Sequence, residues 1–115
     1  MAMTTMQIEI ETVLRSLGAK GTQKGFWGIF WGVIIAMEDP AILCSITKRL
    51  YPAVGERCGL SGANVGRDMR SLVDWCWNEG DREAFQILAG RKILDKPTVG
   101  EFIDLFAAYM RRNGY

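Results

Sequence analysis

Histidine is absent from this chain, and with it the side chain that most often serves as a general base near neutral pH. Neither a glycine-rich phosphate loop of the Walker type nor a dinucleotide-binding fingerprint occurs. We therefore predict that the protein is not an enzyme and that it holds no cofactor.

Cysteine is scarce as well. The three cysteines, Cys44, Cys58 and Cys76, are widely spaced, and each lies within an apolar helical pattern. A zinc site would need paired cysteines at short spacing, or histidines. We predict three buried thiols, no metal site and a reducing, cytoplasmic compartment. Residues 1–7 lack the basic flank and long apolar core of a secretory signal, and we predict a flexible tail there.

A hydrophobic run long enough to cross a membrane is also missing. The most apolar stretch, GFWGIFWGVIIAM at residues 25–37, would extend about 20 Å as a helix, whereas the hydrocarbon core is about 30 Å thick. We predict that it forms the central buried helix. Gly28 and Gly32 would let another helix approach closely, and Trp27 and Trp31 are assigned to the core. A cofactor box or a lipid-facing surface is the alternative interpretation of these aromatic residues.

The formal net charge is only +1, so the composition gives no sign of a polyanionic partner. The distribution is nevertheless uneven. Between residues 45 and 72 the chain carries five cations against two carboxylates: Lys48, Arg49, Arg57, Arg67 and Arg70 against Glu56 and Asp68. A local excess of positive charge suits contact with a phosphate backbone, because each cation placed there releases condensed counterions.

The segment over residues 51–78, YPAVGERCGLSGANVGRDMRSLVDWCWN, predicts two helices joined by a tight turn. Pro52 is typical of the first turn of a helix, and Gly59 of the left-handed residue that ends one. Ser61 can cap the second helix, over residues 62–78, whose apolar residues recur along one face: Val65, Met69, Leu72, Val73 and Cys76. We interpret the segment as a helix-turn-helix.

The opposite face of this second helix is polar. It carries Asn64, Arg67, Arg70, Ser71 and Asp74. An outward row of arginine and amide side chains can contact base edges and phosphates in a DNA major groove. We predict base or base-adjacent contacts for Arg67 and Arg70, supplemented by Asn64 and Ser71. A solvated face without a DNA partner is the simpler alternative.

Three further residues are candidates for DNA contact. Ser61 stands at the start of the second helix, and Lys48 and Arg49 precede the first. The two cations could lie against the DNA backbone beside the recognition helix, and their alternative is again a solvated face.

The remaining segments also show helical patterns. Residues 7–17 predict a first helix, and Asp39 with Pro40 predicts the start of a helix that reaches residue 50 or 51. Asp81 can cap a helix that Gly90 ends, and a capping box at residues 98–101 predicts the start of the last helix. Together these patterns indicate one all-α domain over residues 8–115.

Several strings resemble a known family: SITKRLYP at residues 45–52, KPT at 96–98 and EFI at 101–103, with Val65, Arg67, Arg70 and Trp77 between them. In order and spacing they resemble the DNA-binding effector domain of the stage-zero sporulation response regulator of endospore-forming Firmicutes, over residues 8–112. The resemblance implies a compact domain of about six helices that binds a short DNA box, often as tandem copies, and regulates transcription. The recognition-helix arginines of the family correspond to Arg67 and Arg70.

The sequence departs from the family pattern at three positions of the recognition helix. Asn64 stands where the family commonly has arginine, Gly66 where it has a base-contacting glutamate, and Ser71 where it has histidine. Glycine also weakens a helix interior by about 1 kcal/mol relative to alanine. Two outcomes follow from these departures, a different DNA box or a lower affinity. An Asn64 contact to adenine would be a change of specificity.

The family's regulator also has an N-terminal receiver domain, whereas only seven residues precede the resemblance here. We expect an effector domain without that switch; a trimmed piece of a longer protein is the alternative. The expected partners are duplex DNA, bound by a dimer or in tandem, and RNA polymerase or a sigma factor. The alternative function is a protein-interaction module of the same fold, which has lost DNA readout and binds a full-length regulator or RNA polymerase.

Overall fold

Helices alone form the secondary structure of residues 2–115, the part of the chain that this computed structural model describes. The six α-helices are α1 (Thr5–Ser16), α2 (Phe26–Glu38), α3 (Tyr51–Cys58), α4 (Gly62–Asn78), α5 (Arg82–Ala89) and α6 (Val99–Arg112). A 3-10 turn, Pro40–Cys44, and a π-helical turn, Ile46–Leu50, connect α2 to α3. The prediction of an all-α fold of about six helices is confirmed.

Local capping interactions start the last two helices at the predicted residues. The Thr98 hydroxyl accepts a hydrogen bond from the Glu101 N–H at 3.2 Å, and the Thr98 N–H donates to the Glu101 carboxylate at 2.9 Å. The Asp81 carboxylate accepts from the Ala84 N–H at 3.0 Å at the start of α5. These side chains satisfy backbone donors that have no partner within the helix.

The first helix begins earlier than the sequence pattern indicated. A capping box between Thr4 and Gln7, with hydrogen bonds of 3.0 and 3.1 Å, starts α1 at Thr5. The predicted tail over residues 1–7 therefore overlaps the helix at residues 5–7; Met1 lies outside the described residues.

Helix α2 is the centre of the fold, as predicted, and nine of its thirteen residues are buried. It packs against α1, α3, α4 and α6. A Cβ on Gly28 would lie 2.9 Å from Cγ of Met69, and one on Gly32 would lie 3.0 Å from Cδ1 of Ile103. The predicted close approach is confirmed, since α4 and α6 both reach the backbone of α2 at these glycines. None of the helices in residues 2–115 combines the length and apolarity needed to span a bilayer.

Two expectations about individual side chains are corrected. Trp27 is 39% exposed, so its assignment to the core is wrong. Trp31 is partly buried and packs against the core, in agreement with its assignment. Cys76 is buried and Cys58 partly buried, but Cys44, the last residue of the 3-10 turn, is exposed, so the prediction of a buried thiol is wrong for Cys44. Burial raises the pKa of the Cys76 thiol to about 12 and also raises the pKa of Cys58.

The segment from residue 39 to residue 50 is not the single α-helix that was predicted. Ser45, with φ −144° and ψ 67°, leaves helical geometry and separates the 3-10 turn from the π-helical turn. Asp39 makes no capping hydrogen bond through its side chain. Instead its carboxylate accepts from the Arg49 guanidinium at 2.8 Å.

Candidate DNA-binding surface

The connection between α3 and α4 is a three-residue turn that brings the two helices close together. Gly59 ends α3 in the left-handed region, at φ 69°, where glycine avoids the steric cost of a Cβ. The Leu60 N–H then donates to the Gly55 carbonyl at 3.0 Å. A Cβ on Gly55 would collide with the Leu60 carbonyl oxygen, so this close turn requires glycine there. The arrangement fits a helix-turn-helix.

One face of α4 is buried and fixes the helix to the core. The predicted apolar residues of this face are all buried: Val65, Met69, Leu72, Val73 and Cys76. The Ser61 hydroxyl accepts from the Asn64 N–H at 3.3 Å and starts the helix where the sequence indicated. Because both the start and the buried face of α4 are fixed, the direction of its outer face is fixed as well.

The outer face of α4 carries the four side chains predicted for base contact: Asn64, Arg67, Arg70 and Ser71, all exposed. No carboxylate pairs with Arg67 or Arg70 among residues 2–115, where the ion pairs involve other cations. Two guanidinium groups on one helix face therefore keep their donors available to a partner.

The other predicted contacts lie nearby but differ in their surroundings. Lys48 is exposed on the π-helical turn, whereas Arg49 is held in the ion pair with Asp39. Both side chains of that pair are about half exposed, at 52% and 46%. Ser61 is exposed, and its hydroxyl already serves as the cap of α4.

Gly66 lies on the inward side of α4, against the ring of Tyr51. A Cβ at this position would lie 2.6 Å from Cε2 of Tyr51, closer than such atoms approach in folded proteins. The family resemblance implies the loss of a base contact at Gly66. The structure shows in addition that the glycine permits close packing of α4 on the start of α3.

A groove runs between α4 and the segment that leads into α6. Its α4 side carries Arg67, Arg70, Ser71 and Asp74, and its other side is formed by Lys96, Pro97 and Thr98. Nζ of Lys96 lies 2.7 Å from Oδ1 of Asp74, and both side chains are about half exposed. Sequence analysis did not find Lys96 as part of the site, because no local pattern connects it to the distant Asp74.

A short turn between two helices, with two exposed arginines on the outer face of the second, fits the arrangement found in helix-turn-helix DNA-binding domains. A family model described as "Sporulation initiation factor Spo0A C terminal" matches residues 10–110. The chain belongs to this family, which consists of DNA-binding effector domains of sporulation regulators and is not a family of enzymes. The resemblance stated from the sequence strings is thereby confirmed.

Proposed function

We propose that this protein is a sequence-specific transcriptional regulator that places the outer face of α4 in the major groove of DNA. The observation that carries the proposal is the exposure of Arg67 and Arg70 on one helix face, without a carboxylate partner among residues 2–115. In the cytoplasm the domain would bind as a dimer or on tandem boxes, and would contact RNA polymerase or a sigma factor.

The side chains of α4 have distinct roles in this proposal. A guanidinium group can donate two hydrogen bonds to O6 and N7 of guanine, which suits Arg67 and Arg70. The Asn64 amide can pair with adenine in the same bidentate manner, so its presence would change the preferred box. The hydroxyl of Ser71, next to Arg70 on the outer face of α4, would supplement these base contacts.

Contacts to the DNA backbone would come from the flanking residues. Lys48 is an exposed cation on the π-helical turn. Arg49 has five N–H donors, so it can hold Asp39 and still donate to a phosphate. Ser61, at the N-terminus of α4, lies where backbone donors favour a phosphate. Such contacts position the helix without reading the sequence.

Selection of bound fragments from a random oligonucleotide pool would define the box, and titration of that box tests the arginines. Arg67→Ala is expected to cost about 1–3 kcal/mol and to relax discrimination at one base pair. Arg70→Ala is expected to weaken binding similarly. The matched control is Arg91→Ala, an exposed arginine outside the α4 groove, which should bind like the wild type. Equal affinity of both α4 variants and the wild type would refute the proposal.

The alternative function, a protein-interaction module, is favoured by one specific observation. Ile87 and Leu94 are large apolar side chains that are 63% and 77% exposed. Salt dependence separates the two functions, because phosphate contacts release counterions and apolar contacts do not. If DNA binding is the function, affinity should fall at least tenfold between about 50 and 200 mM salt. A flat salt dependence, with affinity for a protein partner, would favour the alternative.

A further inference from the structure

A second concave surface adjoins the N-terminal half of α4. It is an open cleft of about 710 Å³ between the loop at residues 21–25, the outer side of α2, the end of α3 and the start of α4. We call it the tryptophan cleft, because Trp27 and Trp31 both line it. Its volume lies within the range of about 300–1,000 Å³ that is typical of small-molecule sites.

The indole of Trp27 is a fixed aromatic surface within the cleft. Its Nε1–H donates to the Gly21 carbonyl at 3.0 Å, and its ring meets Phe26 and Phe30 edge-on, at centroid distances of 4.9 and 5.1 Å. The side chain nevertheless remains 39% exposed. A tryptophan that is held in place and yet open to solvent is a stacking surface for a planar ring.

Positive charge surrounds this aromatic surface. Three cations line the cleft against one carboxylate: Lys24, Arg57 and Arg67 against Asp68. The Arg57 guanidinium lies 4.8 Å from the centroid of the Trp31 ring, which holds it at the cleft by a cation–π contact. Aromatic stacking combined with a positive groove is the arrangement by which proteins bind unpaired nucleotides.

We propose that the tryptophan cleft binds an unpaired nucleotide, with its base stacked on Trp27 and its phosphate held by Arg57 and Lys24. A free mononucleotide and a single-stranded stretch of DNA share this chemistry. Asn64 and Arg67 line both the cleft and the outer face of α4, so its occupant competes with duplex DNA for them. Only this competition rests on the proposed function; nucleotide binding itself does not.

Calorimetric titration of the full chain tests the cleft directly. The probes are AMP, adenosine, inorganic phosphate and a single-stranded oligo-dA octamer. We expect binding of AMP or of the octamer, and no binding of adenosine or phosphate alone at the same concentrations. Binding of AMP identifies a free nucleotide as the ligand, and binding of the octamer alone identifies unpaired DNA.

Variants then locate the binding. Trp27→Leu and Arg57→Gln are each expected to weaken it about tenfold. Trp27→Phe keeps an aromatic ring and should retain most of the affinity. It is the control that separates loss of stacking from loss of folding in Trp27→Leu. Ile87→Ala and Arg91→Ala, which alter exposed residues outside the cleft, are the matched controls. Absence of binding by AMP and the octamer, or equal binding by all variants, would overturn the proposal.

Competition distinguishes failure of the cleft from failure of the proposed function. At saturation, the nucleotide that binds should raise the apparent Kd for the selected duplex. If Arg67→Ala loses duplex binding but no nucleotide binds, the cleft proposal alone fails. If nucleotide binding depends on Trp27 but the wild type binds no duplex, the proposed function alone fails. Nucleotide and duplex binding at the same time, without competition, would refute the shared use of Arg67.

Discussion

Exposed arginines are ordinary on protein surfaces, and what distinguishes Arg67 and Arg70 is that two free guanidinium groups share the outer face of α4. Several other arginines are engaged within the fold. Arg82 lies 3.7 Å from the centroid of the Trp77 ring and donates to the Trp77 carbonyl, and Arg112 donates to the Leu88 carbonyl at 3.2 Å. The two arginines of α4 have no carboxylate partner among residues 2–115, so a partner outside the protein can use their donors.

At the scale of one residue, Gly66→Ala tests the contact with Tyr51. Alanine would normally stabilise a helix interior by about 1 kcal/mol, but overpacking a close contact costs about 1–3 kcal/mol. We expect the variant to be less stable than the wild type in urea unfolding. Gly62→Ala in the same helix is the matched control, because its Cβ would meet Pro52 at an ordinary 3.5 Å. A gain in stability from Gly66→Ala would mean that the Tyr51 ring moves aside freely.

At the scale of elements, α4 depends on its neighbours for its orientation. Met69 packs against Gly28 and Gly32 of α2, and the segment before α6 forms the second side of the α4 groove. The ion pair between Lys96 and Asp74 connects this segment to α4 next to Arg70 and Ser71. Lys96 therefore neutralises a carboxylate in the same groove as Arg67, Arg70 and Ser71.

We expect Lys96→Ala to weaken duplex binding about threefold at low salt, because an unpaired Asp74 carboxylate would then repel the phosphate backbone. Asp74→Asn in the same chain should restore much of the affinity, since it removes that repulsion. Lys92→Ala, in the same segment but outside the α4 groove, is the matched control. If the double variant binds no better than Lys96→Ala, Lys96 acts through its own phosphate contact and the neutralising role is wrong. Titrations of all four proteins with the selected box provide the measurement.

At the scale of the whole molecule, we expect the stability of the fold to depend on pH through the start of α6. The Glu101 carboxylate accepts a hydrogen bond from the backbone N–H of Thr98, and its interactions with Thr98 lower the pKa of Glu101 from the ordinary value. A group whose pKa is lowered by folding stabilises the folded state above its ordinary pKa. That stabilisation is lost as the pH falls through the lowered pKa.

Glu101→Ala should therefore destabilise the protein more near neutral pH than in acid. Glu101→Gln is the matched variant, because it keeps an acceptor for the capping box without a titrating charge. Its stability relative to Glu101→Ala should not change with pH. Urea unfolding near neutral pH and in acid measures the free energy of unfolding of each protein. If the wild type is more stable than Glu101→Ala by the same amount at both pH values, Glu101 is not the source of the pH dependence.

Much of the fold could be predicted because its signals are local. The capping box at residues 98–101, Pro52, Gly59 and the apolar spacing of α4 each act within a few residues along the chain, and the structure places the corresponding helix ends and buried face where they indicated. The segment at residues 39–50 was predicted wrongly, because the apolar spacing there is compatible with an α-helix and Ser45 gave no sign of a break.

The candidate site was predictable only in part. The outward row of α4 follows from helical periodicity, and exposure of Arg67 and Arg70 agrees with it. The surroundings of that row do not follow from periodicity, because Lys96 and Tyr51 reach α4 from distant parts of the chain. The exposure of Trp27 could not be predicted either. Helical spacing does not show whether a neighbouring element covers the indole ring.

The sequence by itself determined most of the helices, the caps at Ser61, Asp81 and Thr98, and the polar face that carries Arg67 and Arg70, because periodicity and capping act between residues a few positions apart. The order and spacing of its short strings indicated the family. Only the tertiary structure decided which charges are paired, that the Tyr51 ring leaves no room for a side chain at Gly66, and that two indoles line an open cleft beside α4. These features depend on how separate helices pack, and packing brings together side chains whose separation along the chain carries no periodic signal.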